Sequence, residues 1–141
     1  MTQAGYRQCQ KCGKNRAERF FSGPRGRTCS SCRKAGRSRA RHELRVQSTY
    51  GLEPGEYAKL LAAQDGKCAI CRGVRRYRLS VDHDHKTNLV RGLLCRMCNE
   101  RLLTAARDRP EVLRSAADYL DAPPAQTHIG LRYYQDQKEH E

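Results

Sequence analysis

Residues 68–99 read CAICRGVRRYRLSVDHDHKTNLVRGLLCRMCN, and the rest of the chain takes its meaning from them. Two CxxC pairs, Cys68/Cys71 and Cys95/Cys98, enclose 23 residues that hold the run Asp82-His83-Asp84-His85, and Asn99 follows the last cysteine. A CxxC knuckle aims two thiolates at one tetrahedral ion, so two knuckles make a closed structural zinc site. Four sulfurs fill that coordination shell, which leaves the carboxylates, the imidazoles and Asn99 for other chemistry. The competing possibility is a polar loop whose His83 and His85 merely add zinc ligands.

The flanking pattern says how these groups are presented. Residues 78–83 read as a strand and 89–94 as its return, with Lys86-Thr87-Asn88 in the turn. Cys95 and Cys98 then launch a helix through Asn99, Leu102, Leu103 and Ala106. In a β-hairpin followed by a helix, the end of the first strand faces the start of the helix. Asp82 and Asn99 can then share one divalent ion, and His83 can polarise a water. Phosphodiester hydrolysis needs such a set. An imidazole with a pKa of about 6.5 takes a proton from water near neutrality, and a hard cation on one carboxylate and one amide oxygen neutralises charge on the phosphate and the leaving oxygen. Asp84 is expected to turn outward and brace Arg91 or the loop. Arg91 itself reads as either a DNA contact or a surface salt bridge.

The N-terminal region repeats the cysteine arrangement. Cys9-x2-Cys12 and Cys29-x2-Cys32 stand 16 residues apart, the spacing of a zinc ribbon. Of Phe20 and Phe21, at least one is expected beneath the metal, with Gly13 leaving the first knuckle and Gly23-Pro24-Arg25-Gly26 turning the chain back. Residues 33–47 hold six Arg or Lys, five of them ahead of Glu43, and show no core stripe, so they read as a basic linker that orders on binding, or as a helix along a nucleic-acid backbone. Further on, helices are expected at 54–65, from Pro54 and the spacing Tyr57, Leu60, Leu61, and at 110–121, from Pro110 and Leu113, Ala116, Ala117, Leu120. Packing and homodimerisation are the two roles open to the latter helix.

Composition sets the outer limits. With 141 residues, 38% hydrophobic content, 2 Phe, no Trp and 30% charged residues, the chain suits two small stapled modules better than one large core. All 8 cysteines fall in CxxC pairs and no apolar leader precedes them, which points to metal in a reducing cytoplasm over a disulfide scaffold. No run of about 18 apolar residues exists to span a membrane. Of the formal net charge of +13, residues 1–50 carry 13 Lys+Arg against 2 Asp+Glu. Two thiolate-held Zn2+ sites, each of net charge −2, still leave about +9, a charge that suits a phosphate backbone.

VDHDH followed by RGLLC and Cys98-Asn99, with CAIC upstream behind a short helix, resembles the recombination endonuclease VII family, one of the ββα-metal (His-Asn-His-like) nucleases of phages and bacterial genomes. The resemblance covers about residues 50–120. It implies that Cys68, Cys71, Cys95 and Cys98 bind structural zinc, that Asp82 and Asn99 hold a catalytic Mg2+, for which Mn2+ can substitute, and that His83 is the general base. His85 matches a further family histidine. Ser80 stands where members can carry a histidine two residues before the aspartate, an auxiliary ligand or phosphate contact.

The expected architecture is α+β: a zinc ribbon at 1–35 held by Cys9, Cys12, Cys29 and Cys32, a basic connector at 36–50, a zinc-stapled ββα-metal domain with flanking helices at 51–122, and a tail at 123–141. The expected function is Mg-dependent cleavage of DNA, with branched or junction DNA as the family's suggestion. The alternative is a non-catalytic zinc-dependent DNA-binding or regulatory protein, and RNA satisfies the same charge argument.

Overall fold

The computed structural model describes residues 5–134, which form two compact units divided after Gly66. Both are small α+β assemblies whose buried centres are cysteines.

In the first unit, β1 (Tyr6–Gln8) pairs antiparallel with β2 (Asn15–Ala17), Tyr6 opposite Ala17 and Gln8 opposite Asn15. The turn between them is the first knuckle. The Gly13 N–H donates to the Cys9 carbonyl at 2.8 Å, and Gly13 takes φ 68°, a left-handed conformation that favours glycine. After a 3-10 turn at Glu18–Phe20, Phe21 packs with Cys9, Cys29 and Cys32 while Phe20 stays exposed beneath Arg19, so one phenylalanine lies against the sulfurs, as expected.

The second cysteine pair opens α1 (Ser30–Tyr50), a 21-residue helix. The basic segment expected as a linker is therefore the body of that helix, and the physical reason lies in its composition. Arg, Lys, Ala, Gln and Leu are good helix formers. The buried face is reduced to His42 and Val46, four residues apart, too few to show as a stripe. The helix ends at Gly51 (φ 68°), whose N–H donates to the Gln47 carbonyl while Leu52 donates to Val46. α2 (Glu56–Ala63) starts later than the expected 54, because Gly55 takes φ 87° ahead of it. Its buried Tyr57 meets His42 of α1 edge-on at 4.4 Å, and Glu43 of α1 accepts from the Gly55 N–H at 3.1 Å.

In the second unit, β3 (Ser80–His83) and β4 (Val90–Leu94) pair antiparallel, with Val81 opposite Leu93 and Asp82 opposite Gly92. The core is Leu79, Val81, Leu93, Leu94 and Ala106 around Cys68, Cys95 and Cys98. Ala69 ties the knuckle to the hairpin by donating to the Leu93 carbonyl at 3.1 Å. A π-helical segment, Met97–Leu102, runs into α3 (Leu103–Ala106), followed by α4 (Pro110–Asp121) and α5 (Pro124–Ile129). α4 has the bounds expected from Pro110 at its first turn, and none of its residues is fully buried. No described helix is long and apolar enough to cross a membrane.

Candidate functional site

Among the described residues, two clusters offer three or more metal-ligating groups: Cys9, Cys12, Cys29, Cys32 and Cys68, Cys71, Cys95, Cys98, each with its ligand atoms within 4.8 Å of one another. A tetrahedral ion with Zn–S of about 2.3 Å has S···S edges of about 3.8 Å. Cys9–Cys32 and Cys71–Cys95 are each 3.8 Å apart, so both clusters fit zinc.

Their acidities fit too. Backbone N–H groups, that of Cys29 foremost, pull the Cys9 thiol down to about 6. Although burial opposes it, the N–H groups of Cys95, Cys71 and Ile70 bring Cys68 to about 6 as well. Cys32 is pushed up to about 12, first by its contact with Cys29 and then by burial, and Cys98 to about 12 by burial and then by Cys95. Each cluster thus keeps a proton that an arriving cation must expel. Arg75 lies over the second cluster, its Nη2 3.5 Å from Cys71 Sγ and 3.7 Å from Cys95 Sγ, a contact the motif itself does not reveal.

The acid and imidazole groups gather at the turn end of the hairpin. Asp82 is buried, 6% exposed, and both its oxygens are held by Arg91: Nε donates to Oδ2 at 2.7 Å and Nη2 to Oδ1 at 2.9 Å. The register explains the contact. It shifts between Asp82, opposite Gly92, and His83, opposite Val90, so Arg91 is the extra residue of a β-bulge and its side chain is re-aimed along the sheet. The open choice for Arg91 resolves to a salt bridge with Asp82. A carboxylate is the ligand type that suits a hard divalent ion, but with both Asp82 oxygens engaged by Arg91 such an ion reaches it in competition with the guanidinium.

His83 is half-buried, and its ring lies 5.0 Å from that of His85, centroid to centroid. The exposed His85 shares a 2.7 Å hydrogen bond between Nδ1 and Asp108 Oδ2, which draws the Asp108 carboxyl below its ordinary range. Asp84 braces the loop, as expected: its Oδ1 accepts from the N–H groups of Lys86 and Thr87, both at 2.8 Å, and these hold its carboxyl low. Asn99 occupies the π-helical segment just past the last zinc ligand, its N–H donating to the Cys95 carbonyl at 2.9 Å. Such segments recur at functional sites because the wider turn re-aims side chains.

Asp108 is the residue that sequence patterns did not flag. Its Oδ1 also accepts from Arg91 Nη2 at 3.2 Å, so Asp82, Arg91, Asp108 and His85 form one continuous chain of contacts. It follows Arg107, and both take φ 53°, a left-handed pair that costs on the order of 1 kcal/mol per residue outside glycine. The only sequence signal was an Asp, a residue tolerant of that conformation, two places before Pro110.

The family model for recombination endonuclease VII matches residues 43–122, more than half of the chain. The chain is 49% identical over 114 residues to the Gene 59 protein of Mycobacterium phage D29, covering 79% of this chain and 69% of that protein. Against the Gene 59 protein of Mycobacterium phage L5 it is 45% identical over 114 residues, covering 79% and 70%. A solved structure, the beta-beta-alpha-Me type II restriction endonuclease Hpy99I, aligns at 20% identity with a TM-score of 0.35, over 83% of this chain and 65% of that one.

Proposed function

Because the chain belongs to the recombination endonuclease VII family, we propose that it is a metal-dependent DNA endonuclease whose site is Asp82, His83, His85 and Asn99. The observation that supports this reading is the buried Asp82 carboxylate on a hairpin whose turn end also carries the neighbouring His83 and His85 rings. Asp82 and Asn99 would hold a divalent ion, Mg2+ in the cell, with Mn2+ able to replace it. When bound, that ion supplies charge neutralisation at the phosphate and the leaving oxygen. His83 takes the proton of the attacking water, and its half-burial limits how many waters compete for the imidazole. His85, fixed through Nδ1 by Asp108, keeps its other nitrogen for the phosphate or a bridging water. The cysteine clusters play no part in the chemistry, since a zinc ion with four thiolates has no open position.

The first unit supplies the grip on the backbone. At about 100° per residue, Arg33, Lys34, Arg37, Arg41 and Arg45 fall within an arc of about 120° on α1, roughly opposite His42 and Val46, along about 18 Å. Five of the six cations of α1 so form one row, with the exposed Arg39 on the other side, and a row of cations on a rigid rod follows a run of phosphates. Domain limits of 1–35, 36–50, 51–122 and 123–141 are retained as functional divisions, with the family match beginning inside α1.

The test is cleavage of a labelled four-way junction, nicked duplex, plain duplex and single-stranded RNA by zinc-loaded protein with Mg2+ or EDTA, alongside Asn99→Ala. Mg2+-dependent cutting lost in Asn99→Ala supports the nuclease, and the ranking of substrates tells junction from plain DNA and from RNA. Tight binding without cutting on all four substrates would instead support a zinc-dependent DNA-binding protein.

A further inference from the structure

Arg91 Nη2 lies between two carboxylates, 2.9 Å from Asp82 Oδ1 and 3.2 Å from Asp108 Oδ1. The shorter contact belongs to a two-point fork that takes both oxygens of Asp82, the longer one to a single bond. Asp108 in turn is anchored from its far side by His85 at 2.7 Å and is held in place by two successive left-handed residues. Backbone in that conformation is retained where surrounding structure demands it, and such positions cluster at functional sites. Here it serves to hold a second carboxylate within reach of one guanidinium.

A carboxylate with both oxygens in a guanidinium fork has its charge already answered, so a divalent ion must compete for it. A dication arriving at Asp82 also repels Arg91. Without another acceptor the guanidinium would have to return to water or stay on Asp82 and resist the ion. We propose that Arg91 is an internal cation that the metal displaces from Asp82, and that Asp108 is the receiving carboxylate, so that the pair sets how tightly the site takes its ion. Both are positioning residues, acting through Asp82 rather than on the substrate. The proposal rests on Asp82 being a metal ligand. It assigns to the bulge at Arg91 and the strained turn at Asp108 one shared task.

The experiment measures Mn2+ binding to the zinc-loaded full chain without DNA, from the free Mn2+ signal in electron paramagnetic resonance. Replacing Asp82 with Asn should abolish the saturable site. Arg91→Gln should tighten it by about tenfold, the worth of a partly exposed charge-assisted hydrogen bond. Asp108→Asn should weaken it severalfold, because Arg91 then has Asp82 as its remaining carboxylate. The opposite signs matter: a merely structural role would move both variants the same way. Zinc content of two per chain verifies each variant's fold, and Arg91→Lys, which keeps the charge but loses the fork, should fall between parent and Arg91→Gln. If Asp82→Asn abolishes binding while Arg91→Gln and Asp108→Asn match the parent, the exchange is wrong and the site stands. The exchange is equally wrong if Arg91→Gln binds more weakly than the parent. If Asp82→Asn binds Mn2+ like the parent, Asp82 is not a ligand and both proposals fall.

Discussion

Cys9 and Cys68 occupy the same place in two knuckles. Each carbonyl accepts from the residue four places on, Gly13 at 2.8 Å and Arg72 at 3.0 Å, and each N–H donates to the residue five places on, Lys14 at 3.0 Å and Gly73 at 3.2 Å. The second pairs match as well: Arg33 donates to Cys29 at 3.0 Å and Asn99 to Cys95 at 2.9 Å, each on the first turn of a helix. The frames are alike, yet the position after the fourth cysteine is a cation in one unit and an amide in the other. What lies between the pairs differs too, a Phe21 plug in the first and a charged hairpin in the second. Zinc therefore fixes a scaffold without dictating its use. The first unit carries a basic helix behind its cysteines, and the second carries the helix start and hairpin to which the proposed function assigns the site.

The largest effect should come from breaking one frame at a time. A structural zinc site contributes on the order of 10 kcal/mol to folding a small module. Cys95→Ser should therefore unfold the second unit, and Cys29→Ser the first, each taking zinc content from two ions to one. Hydrogen exchange read separately over residues 5–66 and 67–134 measures this. A folded second unit in Cys95→Ser would mean that its core of Leu79, Val81, Leu93 and Leu94 suffices without the metal.

Next in size is the division of labour. His83→Ala should lower turnover by about 10² to 10⁴ while DNA binding persists. Replacing Arg37, Arg41 and Arg45 together by Gln, which keeps helix propensity, should leave turnover at saturating DNA near the parent value. The slope of log K against log salt should then shrink by about 3. Steady-state kinetics and binding over a salt series check the two variants side by side. A fall in turnover for the α1 variant would show that its cations reach the scissile phosphate.

A smaller effect tests whether the two clusters really are equivalent. Cys32 and Cys98 are both held up to about 12 and so carry protons at pH 7, which zinc must expel. Acidification should weaken zinc binding at each site by at least tenfold per pH unit from that thiol alone, and binding should strengthen as pH rises. Below about 6, where Cys9 and Cys68 also take up protons, the dependence should steepen at both sites. Competition with a chelator across pH 5.5–8 reads both slopes.

The zinc ligands, the hairpin and α4 were legible because each rests on local chemistry: fixed CxxC spacing, alternation, and a proline that fits a first turn. The bulge was not, since register is a relation between strands and nothing within residues 90–94 announces the extra residue. Asp108 was hidden for a similar reason. Its partners are His85 and Arg91, 23 and 17 residues away, and a carboxylate in a helix break has many uses. α1 was obscured by its own polarity: a helix whose buried face is His42 and Val46 looks like solvated chain until tertiary contacts are known.

The smallest effect returns to the knuckles. Gly13 and Arg72 hold equivalent positions at φ 68° and 57°, but glycine takes that conformation freely and arginine does not. An L-residue there costs roughly 1–2 kcal/mol, and a glycine recovers part of this while adding about 0.5–1 kcal/mol of unfolded-chain freedom. Arg72→Gly should therefore stabilise the second unit by up to about 1 kcal/mol, and Gly13→Arg should destabilise the first by a similar amount. Chemical denaturation of the zinc-loaded protein gives both numbers. Loss of stability in Arg72→Gly would mean that the arginine side chain contributes more to its knuckle than its backbone conformation costs, so that the frames match in hydrogen bonds but not in energetics.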